Sequence, residues 1–503
     1  MALIPDQVRF NAEDHPDEIA YRVVGAGEMT FATWEAVSNR LARGLVAAGV
    51  RKQDRVALLF DPTDALANLQ SYIAVHKAGA VTVPTNVRLS THELRHVLGH
   101  AEPTAAIASP GMVDRLAEIR PDVPTLRVTA SSGAPAGDAL GWDDLLADDD
   151  SSIQVAVDED DVADILYTSG TTGLPKGIVV RHANATHIPI GHVDDFTGLR
   201  YVHASPFFTF AGLSFIFIPP RLGFTGIYLP RFDPGTWLDL VEREPVPMSF
   251  LVPAMVELLL AHERFETADL SGLNLLSVGS APIAPDSLLR LQRRLPETVI
   301  SNSYSMSEAG QAYLIMPPGE LEKRPTSVGQ PVPPMEVCIV DDEGAEVAPG
   351  DIGEILIKTA GRQREYFRNP EATAELWRDG WIHTGDLGKF DDDGYLYVVG
   401  RKKDVIIRGG HNIHATDVEH VIHEHPDVFE VAVVGVPHDV LGEDVAAFVV
   451  PREGATLATE DIAAWCEERL ADYKRPRRIE LLGSLPRNAM GKVLKRELVA
   501  PGD

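Results

Sequence analysis

Apolar and polar positions change rhythm repeatedly along the first third of the chain. Phe31 to Val50 is amphipathic at helical spacing and closes at Gly49, Asp64 to Ala78 keeps the same period and closes at Gly79, and Thr91 to His100 is a third such stretch. Between them run short apolar segments, Arg55 to Phe60, Ala80 to Val83 and Ala105 to Ser109, each of strand length. Strands alternating with helices predict parallel sheets covered by helices. Ser131 to Asp161 is rich in Gly, Ala and Asp and predicts a surface connection.

Beyond Pro331 the pattern shortens to strands and turns, among them Gly353 to Lys358 and the hairpin Phe390 to Val398. The C-terminal end reads as a helix at Thr416–Glu424, strands at Val431–Val436 and Val445–Val450, a helix at Thr459–Ala471 and a basic tail. That is enough for an independent small domain. The charged run Gly400-Arg-Lys-Lys-Asp404 predicts the boundary, giving domains 1–402 and 403–503. The most apolar region, Phe207 to Pro230, is interrupted by Pro219, Pro220 and Arg221, too short to span a bilayer, and is kept for a pocket.

With 503 residues the chain holds about three domain units, and 45% hydrophobic with 24% charged residues is ordinary for a globular enzyme. A net charge of −29 argues against nucleic acid, whose binding is driven by phosphate neutralisation. An anionic substrate therefore needs a local basic patch, and Lys474, Arg475, Arg477, Arg478, Arg487, Lys492, Lys495 and Arg496 lie close together in sequence. The N-terminus lacks a basic segment followed by an apolar one, so no signal peptide is indicated. Cys338 and Cys466, far apart in apolar company, predict reduced thiols in the cytoplasm. His420, His423 and His425 fit no zinc-binding spacing and are read as a solvated helix end.

The most specific chemistry lies in Tyr167-Thr-Ser-Gly-Thr-Thr-Gly-Leu-Pro-Lys176-Gly177, between the strand-like runs Val162–Tyr167 and Gly177–Val180. Glycines and hydroxyls in such a loop turn many donors toward one anion, and Lys176 adds a point charge. The run is longer than a hairpin turn needs. It is not a Walker A loop, because Lys176 follows Pro175 and leads into a strand.

This run resembles the phosphate loop of the adenylate-forming superfamily, which holds acyl-CoA synthetases, adenylation domains of peptide synthetases and luciferases. Further motifs follow in the family's order across nearly the whole chain. The resemblance implies an α/β fold: a large N-terminal domain of βα-layered sheets plus a small β-barrel-like part, with a mobile small α+β C-terminal domain. It also implies the substrates and cofactors ATP, Mg2+ and CoA, and admits a homodimer.

Residue by residue, the resemblance assigns the phosphates to Thr168, Ser169, Gly170, Thr171, Thr172, Gly173 and Lys176, with Thr172 also catalytic. In Asn302-Ser-Tyr-Ser-Met-Ser-Glu308, Tyr304 stacks on the adenine, Ser303 belongs to the nucleotide site, Ser307 contacts the α-phosphate and Glu308, a hard oxygen ligand, holds Mg2+. Serines replace the usual glycines at 303 and 305. Gly279, Ser280 and Ala281 border the adenine and acyl pocket, Asp386 binds the ribose hydroxyls, and Arg401 adds a nucleotide contact. Lys403 matches the hinge, Gly409 and Gly410 the pantetheine tunnel, and Lys492 the catalytic lysine. Phe208, Thr209 and Gly212 fall in the acyl-pocket element, with Thr209 where the family usually carries His.

The reading is therefore an ATP-dependent acyl-CoA synthetase that activates a hydrophobic, bulky or polycyclic carboxylic acid through acyl-AMP. No Asp or Lys near Thr209 is available to pair with an α-amino acid. Two alternatives stay open: a free-standing ligase loading a carrier protein, and a catalytically silent nucleotide-binding module. Thioester formation with free CoA and ATP–pyrophosphate exchange, respectively, separate them.

Overall fold

The computed structural model describes residues 3–153, 155–168, 174–185, 196–310, 314–359, 362–487 and 493–499. Two of its sheets are the layered α/β part. One runs in the order Glu365–Tyr366, Lys176–Arg181, Val162–Thr168, Val81–Pro84, Arg55–Leu59, Ala105–Ala108, Val128–Ser131, with the last five strands parallel. The other runs Val299–Ser303, Leu275–Gly279, Met248–Leu251, Arg200–His203, Thr225–Tyr228, Ile19–Val23, Gly27–Thr30, parallel except at the last pair. The expected alternation of strand and helix is found at each position read from the first third of the chain, with ends shifted by up to three residues.

The helices Phe31–Ala47 and Ala65–Lys77 lie between these sheets, and Trp34, Leu41, Leu69 and Tyr72 share one core with Tyr21, Leu58 and Tyr228 of the strands. The buried Lys77 ammonium there is held by Glu35 (2.7 Å), Ser38 (2.8 Å) and Asn39 (2.7 Å). Burial lowers its pKa to about 8, because desolvation outweighs the attraction of Glu35. The stretch predicted as a surface connection is tied to the helices at several points: Asn39 and Arg40 donate to the carbonyls of Asp150 and Ala147, and Leu145 is buried, its carbonyl occupying the space a Cβ on Gly44 would need.

A third, antiparallel sheet spans Leu314 to Arg401 and contains the predicted hairpin, Trp381–Phe390 with Leu396–Arg401. The fourth belongs to a separate C-terminal domain, in the order His411–His414, Val405–Arg408, Gly442–Pro451, Val428–His438, with Arg478–Leu481 beside Gly442–Pro451. Its helices Ala415–His423 and Thr459–Arg469 contribute Val418, Ile422, Ile462 and Cys466 to their own core. Lys402 and Lys403 lie between the third and fourth sheets, in the turn Lys402–Asp404. Lys402 is tied back to Asp342 (2.8 Å) and Glu354 (3.4 Å). No helix among the described residues is long and apolar enough to cross a membrane.

Phe210–Arg221 is one helix that carries Pro219 and Pro220 in its last turn. Pro219 has no N–H to offer the carbonyl of Phe215, four residues back. The Tyr21 hydroxyl takes that place, donating to Phe215 O at 3.0 Å. At the other end Gly212 is required by space, since a Cβ would stand 1.9 Å from the carbonyl oxygen of Pro206. Gly212→Ala is expected to destabilise the protein by more than the ~1–3 kcal/mol usual for overpacking, because the obstacle is backbone. A urea midpoint equal to the parent's would contradict this.

Candidate nucleotide and acyl site

The parallel strands Leu275–Gly279 and Val299–Ser303 end side by side, with Gly279 opposite Ser303. Ligands of open α/β sheets bind outside such carboxyl ends. Gly279 has no room for a side chain, because a Cβ would come within 2.9 Å of the Ser303 carbonyl oxygen. Ser280 follows in the left-handed region at φ 72°, and it and Ala281 are exposed on the rim. Ser303 and Ser307, half-buried, lie on the loop that leaves the neighbouring strand.

That loop meets the third sheet at Tyr304. The Tyr304 hydroxyl donates to Asp386 Oδ2 at 2.6 Å, and Arg401 Nε pairs with Asp386 Oδ1 at 2.7 Å. Asp386 and Arg401 face each other across the antiparallel pair, so the register of the hairpin delivers the ion pair. Asp386 is only 4% exposed. A carboxylate so buried demands partners, and the sequence reading looked for them in a ligand diol. The protein itself supplies two. Burial and the adjacent Asp386 charge push the Tyr304 phenol well up, which keeps it a donor.

Thr168 ends its strand opposite Lys176, so the two flank the run predicted to hold phosphate. Ser169, Gly170, Thr171, Thr172 and Gly173 lie outside the described residues, as does Lys492. Lys176 Nζ stands 5.3 Å over the ring of Tyr366, and the Tyr366 hydroxyl donates to Glu308 Oε1 at 2.9 Å. Arg364, from the same short segment, donates to the Ser307 carbonyl at 2.7 Å and lies 4.9 Å over the ring of Phe210. Burial lowers the pKa of this guanidinium to about 10, against the opposing pull of Asp164 and Glu308. Lys176, Glu308, Ser307, Tyr304, Asp386 and Arg401 thus stand in one linked series. Tyr366 and Arg364 escaped the sequence reading. Their only local signal is an aromatic among charges ahead of the Pro370 helix start, and their contacts are made entirely across the fold.

The acyl-pocket residues divide. Phe208 lines a small pocket with Phe60, Pro84, Thr85, Phe207 and Tyr228, where strands of both large sheets end. Thr209 is the N-cap of the apolar helix, accepting from the Gly212 N–H (3.0 Å) and donating to the Pro206 carbonyl (2.8 Å). Behind it Phe215 packs on Tyr201 (5.3 Å) and Phe250 (5.2 Å), giving an aromatic wall.

In the C-terminal domain Gly409 and Gly410 form the two-residue turn between Arg408 and His411, with φ 56° and 84°. Positive φ at both positions is what such a tight hairpin requires, so the turn accounts for these glycines independently of any ligand. The basic tail is largely neutralised within its own domain. Lys474 pairs with Asp417, Arg477 with Asp472, Arg478 with Glu480, Arg487 with Glu430 and Lys495 with Glu419.

Among the described residues no group of three or more His, Cys, Asp or Glu could hold a metal by itself. Glu308 fits a cation completed by substrate oxygens and water, which is how Mg2+ is commonly held.

Comparison with known proteins identifies the family. Residues 8–367 match the family model described as AMP-binding enzyme, and residues 417–492 match the AMP-binding enzyme C-terminal domain. The chain is 38% identical over 479 residues to a feruloyl-CoA synthase of an Amycolatopsis species, covering 94% of each. It superposes with a TM-score of 0.86 and 28% identity on the o-succinylbenzoate CoA synthetase of Bacillus subtilis in complex with its acyl-adenylate intermediate, over 100% of this chain and 99% of that one. An ATP-bound structure of MatB from Rhodopseudomonas palustris matches with a TM-score of 0.86 and 31% identity, over 98% of each chain.

Proposed function

Because the chain belongs to the family of AMP-binding enzymes, we propose that it joins a hydrophobic, ring-containing carboxylic acid to CoA through an acyl-AMP intermediate. The observation that carries this reading is the linked series from Lys176 through Glu308 and Tyr304 to Asp386 and Arg401 at the strand ends. The feruloyl-CoA synthase relative supports the ring-containing acid, as does the aromatic wall behind Thr209.

The acid's carboxylate oxygen attacks the α-phosphorus of ATP, and the bond to pyrophosphate breaks. The CoA thiol then gives its proton to solvent, its sulfur bonds the acyl carbon, and AMP leaves with the carboxyl oxygen. No protein atom becomes covalently attached. Lys176, Thr168 and the loop 169–173 hold the phosphates, Ser307 contacts the α-phosphate, and Lys492 neutralises charge as pyrophosphate departs. The adenine lies by Gly279, Ser280, Ala281, Ser303 and Tyr304, and Asp386 with Arg401 holds the ribose. When bound at Glu308, Mg2+ supplies charge neutralisation on phosphate oxygens. The domains divide at 402/403. Rotation about Lys403 exchanges Lys492 for the Gly409-Gly410 turn at the site, a gating motion between the half-reactions.

The test is thioester formation from ATP, CoA and a panel of acids. A pocket that buries apolar groups discriminates by ~1–3 kcal/mol for each methylene, so kcat/KM for an aromatic acid such as ferulate is expected to exceed that for acetate by orders of magnitude. Equal or better use of acetate would overturn the substrate class. Exchange of pyrophosphate without thioester formation would move the acceptor from CoA to a carrier protein.

A further inference from the structure

Lys176 and Glu308 carry opposite charges on different elements, yet they form no ion pair with each other. The Tyr366 side chain stands between them, with its ring under the Lys176 ammonium at 5.3 Å and its hydroxyl on Glu308 Oε1 at 2.9 Å. A direct pair would set each charge against the other and leave less of either for a ligand. A neutral aromatic with one donor satisfies both groups and spends neither charge.

The backbone that carries Tyr366 is fixed from several sides. Glu365 and Tyr366 pair with Val179 and Ile178, in the strand that begins at Lys176, and the Phe367 N–H donates to the Gly177 carbonyl at 2.8 Å. The Tyr366 N–H donates to Thr373 Oγ1 at 2.9 Å, and Trp377 Nε1 donates to the Arg364 carbonyl at 2.7 Å. Arg364 in turn holds the Ser307 carbonyl, so one segment supports both the lysine strand and the glutamate loop.

Resting on the nucleotide-site reading above, we propose that Tyr366 is a positioning residue for adenylation. It aims the Glu308 carboxylate toward the nucleotide-bound cation and leaves Lys176 free to meet phosphate.

Tyr366→Phe removes only the hydroxyl and keeps the ring under Lys176. Groups that orient a metal ligand typically contribute 10–100-fold in metal affinity or activity. The primary measurement is Mn2+ binding in the presence of an ATP analogue with an α,β-methylene bridge, followed by electron paramagnetic resonance. Mn2+ affinity is expected to fall about 10–100-fold, and ATP–pyrophosphate exchange should need correspondingly more Mg2+. Thioester formation from supplied acyl-AMP should be unchanged, which also reports an intact fold. In a Glu308→Gln background the same substitution should cost nothing further, because Tyr366 acts through that carboxylate. Tyr366→His, which keeps a donating ring, should lose less than Tyr366→Phe.

Parent-like Mn2+ binding by Tyr366→Phe, with weakened binding by Glu308→Gln, would overturn the positioning role alone. Parent-like binding by Glu308→Gln would overturn the metal-ligand reading and this inference with it. Fully additive losses in the double variant, or equal losses in both half-reactions, would make Tyr366 a structural residue only.

Discussion

Lys492→Ala is expected to slow adenylation by about 10²–10³-fold while leaving CoA attack on preformed acyl-AMP nearly intact. Removing one preorganised donor aimed at developing charge costs about 2.7–4 kcal/mol of transition-state stabilisation. Lys492 lies in the C-terminal domain's tail after Gly491, beside the basic cluster. Most of the cluster's described cations are already paired with carboxylates of their own domain. The tail as a whole therefore offers little free charge, and a specific lysine has to supply it. In the rotated state proposed for the second half-reaction Lys492 is remote from the acyl carbonyl, so the thiol attack does not depend on it. Chemically made acyl-AMP plus CoA, compared with acid, ATP and CoA, separates the two rates. Equal losses would show either that Lys492 serves both steps or that the domain does not rotate.

Asp386→Ala is expected to raise KM for ATP about ten- to a hundredfold and to weaken both half-reactions, since the ribose is held throughout. Hydrogen bonds to a charged group are worth ~1.5–3 kcal/mol, and the lost carboxylate would have accepted them from the ribose hydroxyls. The fold should survive the change. Arg401 is 38% exposed on its side chain and can turn to water once Asp386 is gone, and the Tyr304 hydroxyl loses one acceptor without leaving a buried charge behind. An unchanged KM with the urea midpoint also unchanged would mean that Asp386 serves neither the nucleotide nor the fold. A large fall in the midpoint with KM unchanged would mean that the Tyr304–Asp386–Arg401 set is a structural clasp.

Local chemistry made much of this molecule legible. Val162 to Thr168 and Lys176 to Arg181 form strands because their β-branched and apolar residues fit a buried sheet. The helices closing near Gly49 and Gly79, with φ 96° and 70°, follow from the same local rule, since glycine accepts that conformation without strain. Pro219 and Pro220 are accommodated in a helix for a reason that is not local. They disfavour a helix interior, but in a last turn the cost is smaller, and Tyr21, almost two hundred residues away, satisfies the carbonyl that Pro219 cannot.

By itself, then, the sequence determined the order of strands and helices and the separate C-terminal domain, and it singled out Lys176, Glu308 and Asp386 as candidate site residues. These are written in short windows, where periodicity and residue type act over a few neighbours. Only the tertiary structure decided what those residues touch. The hairpin register set Arg401 against Asp386, strand pairing brought Tyr366 between Lys176 and Glu308, and the C-terminal fold paired its basic tail with carboxylates. Each of these joins residues distant along the chain or fixes a register between strands. Burial and charge act on distance in space, which no local pattern of side chains encodes.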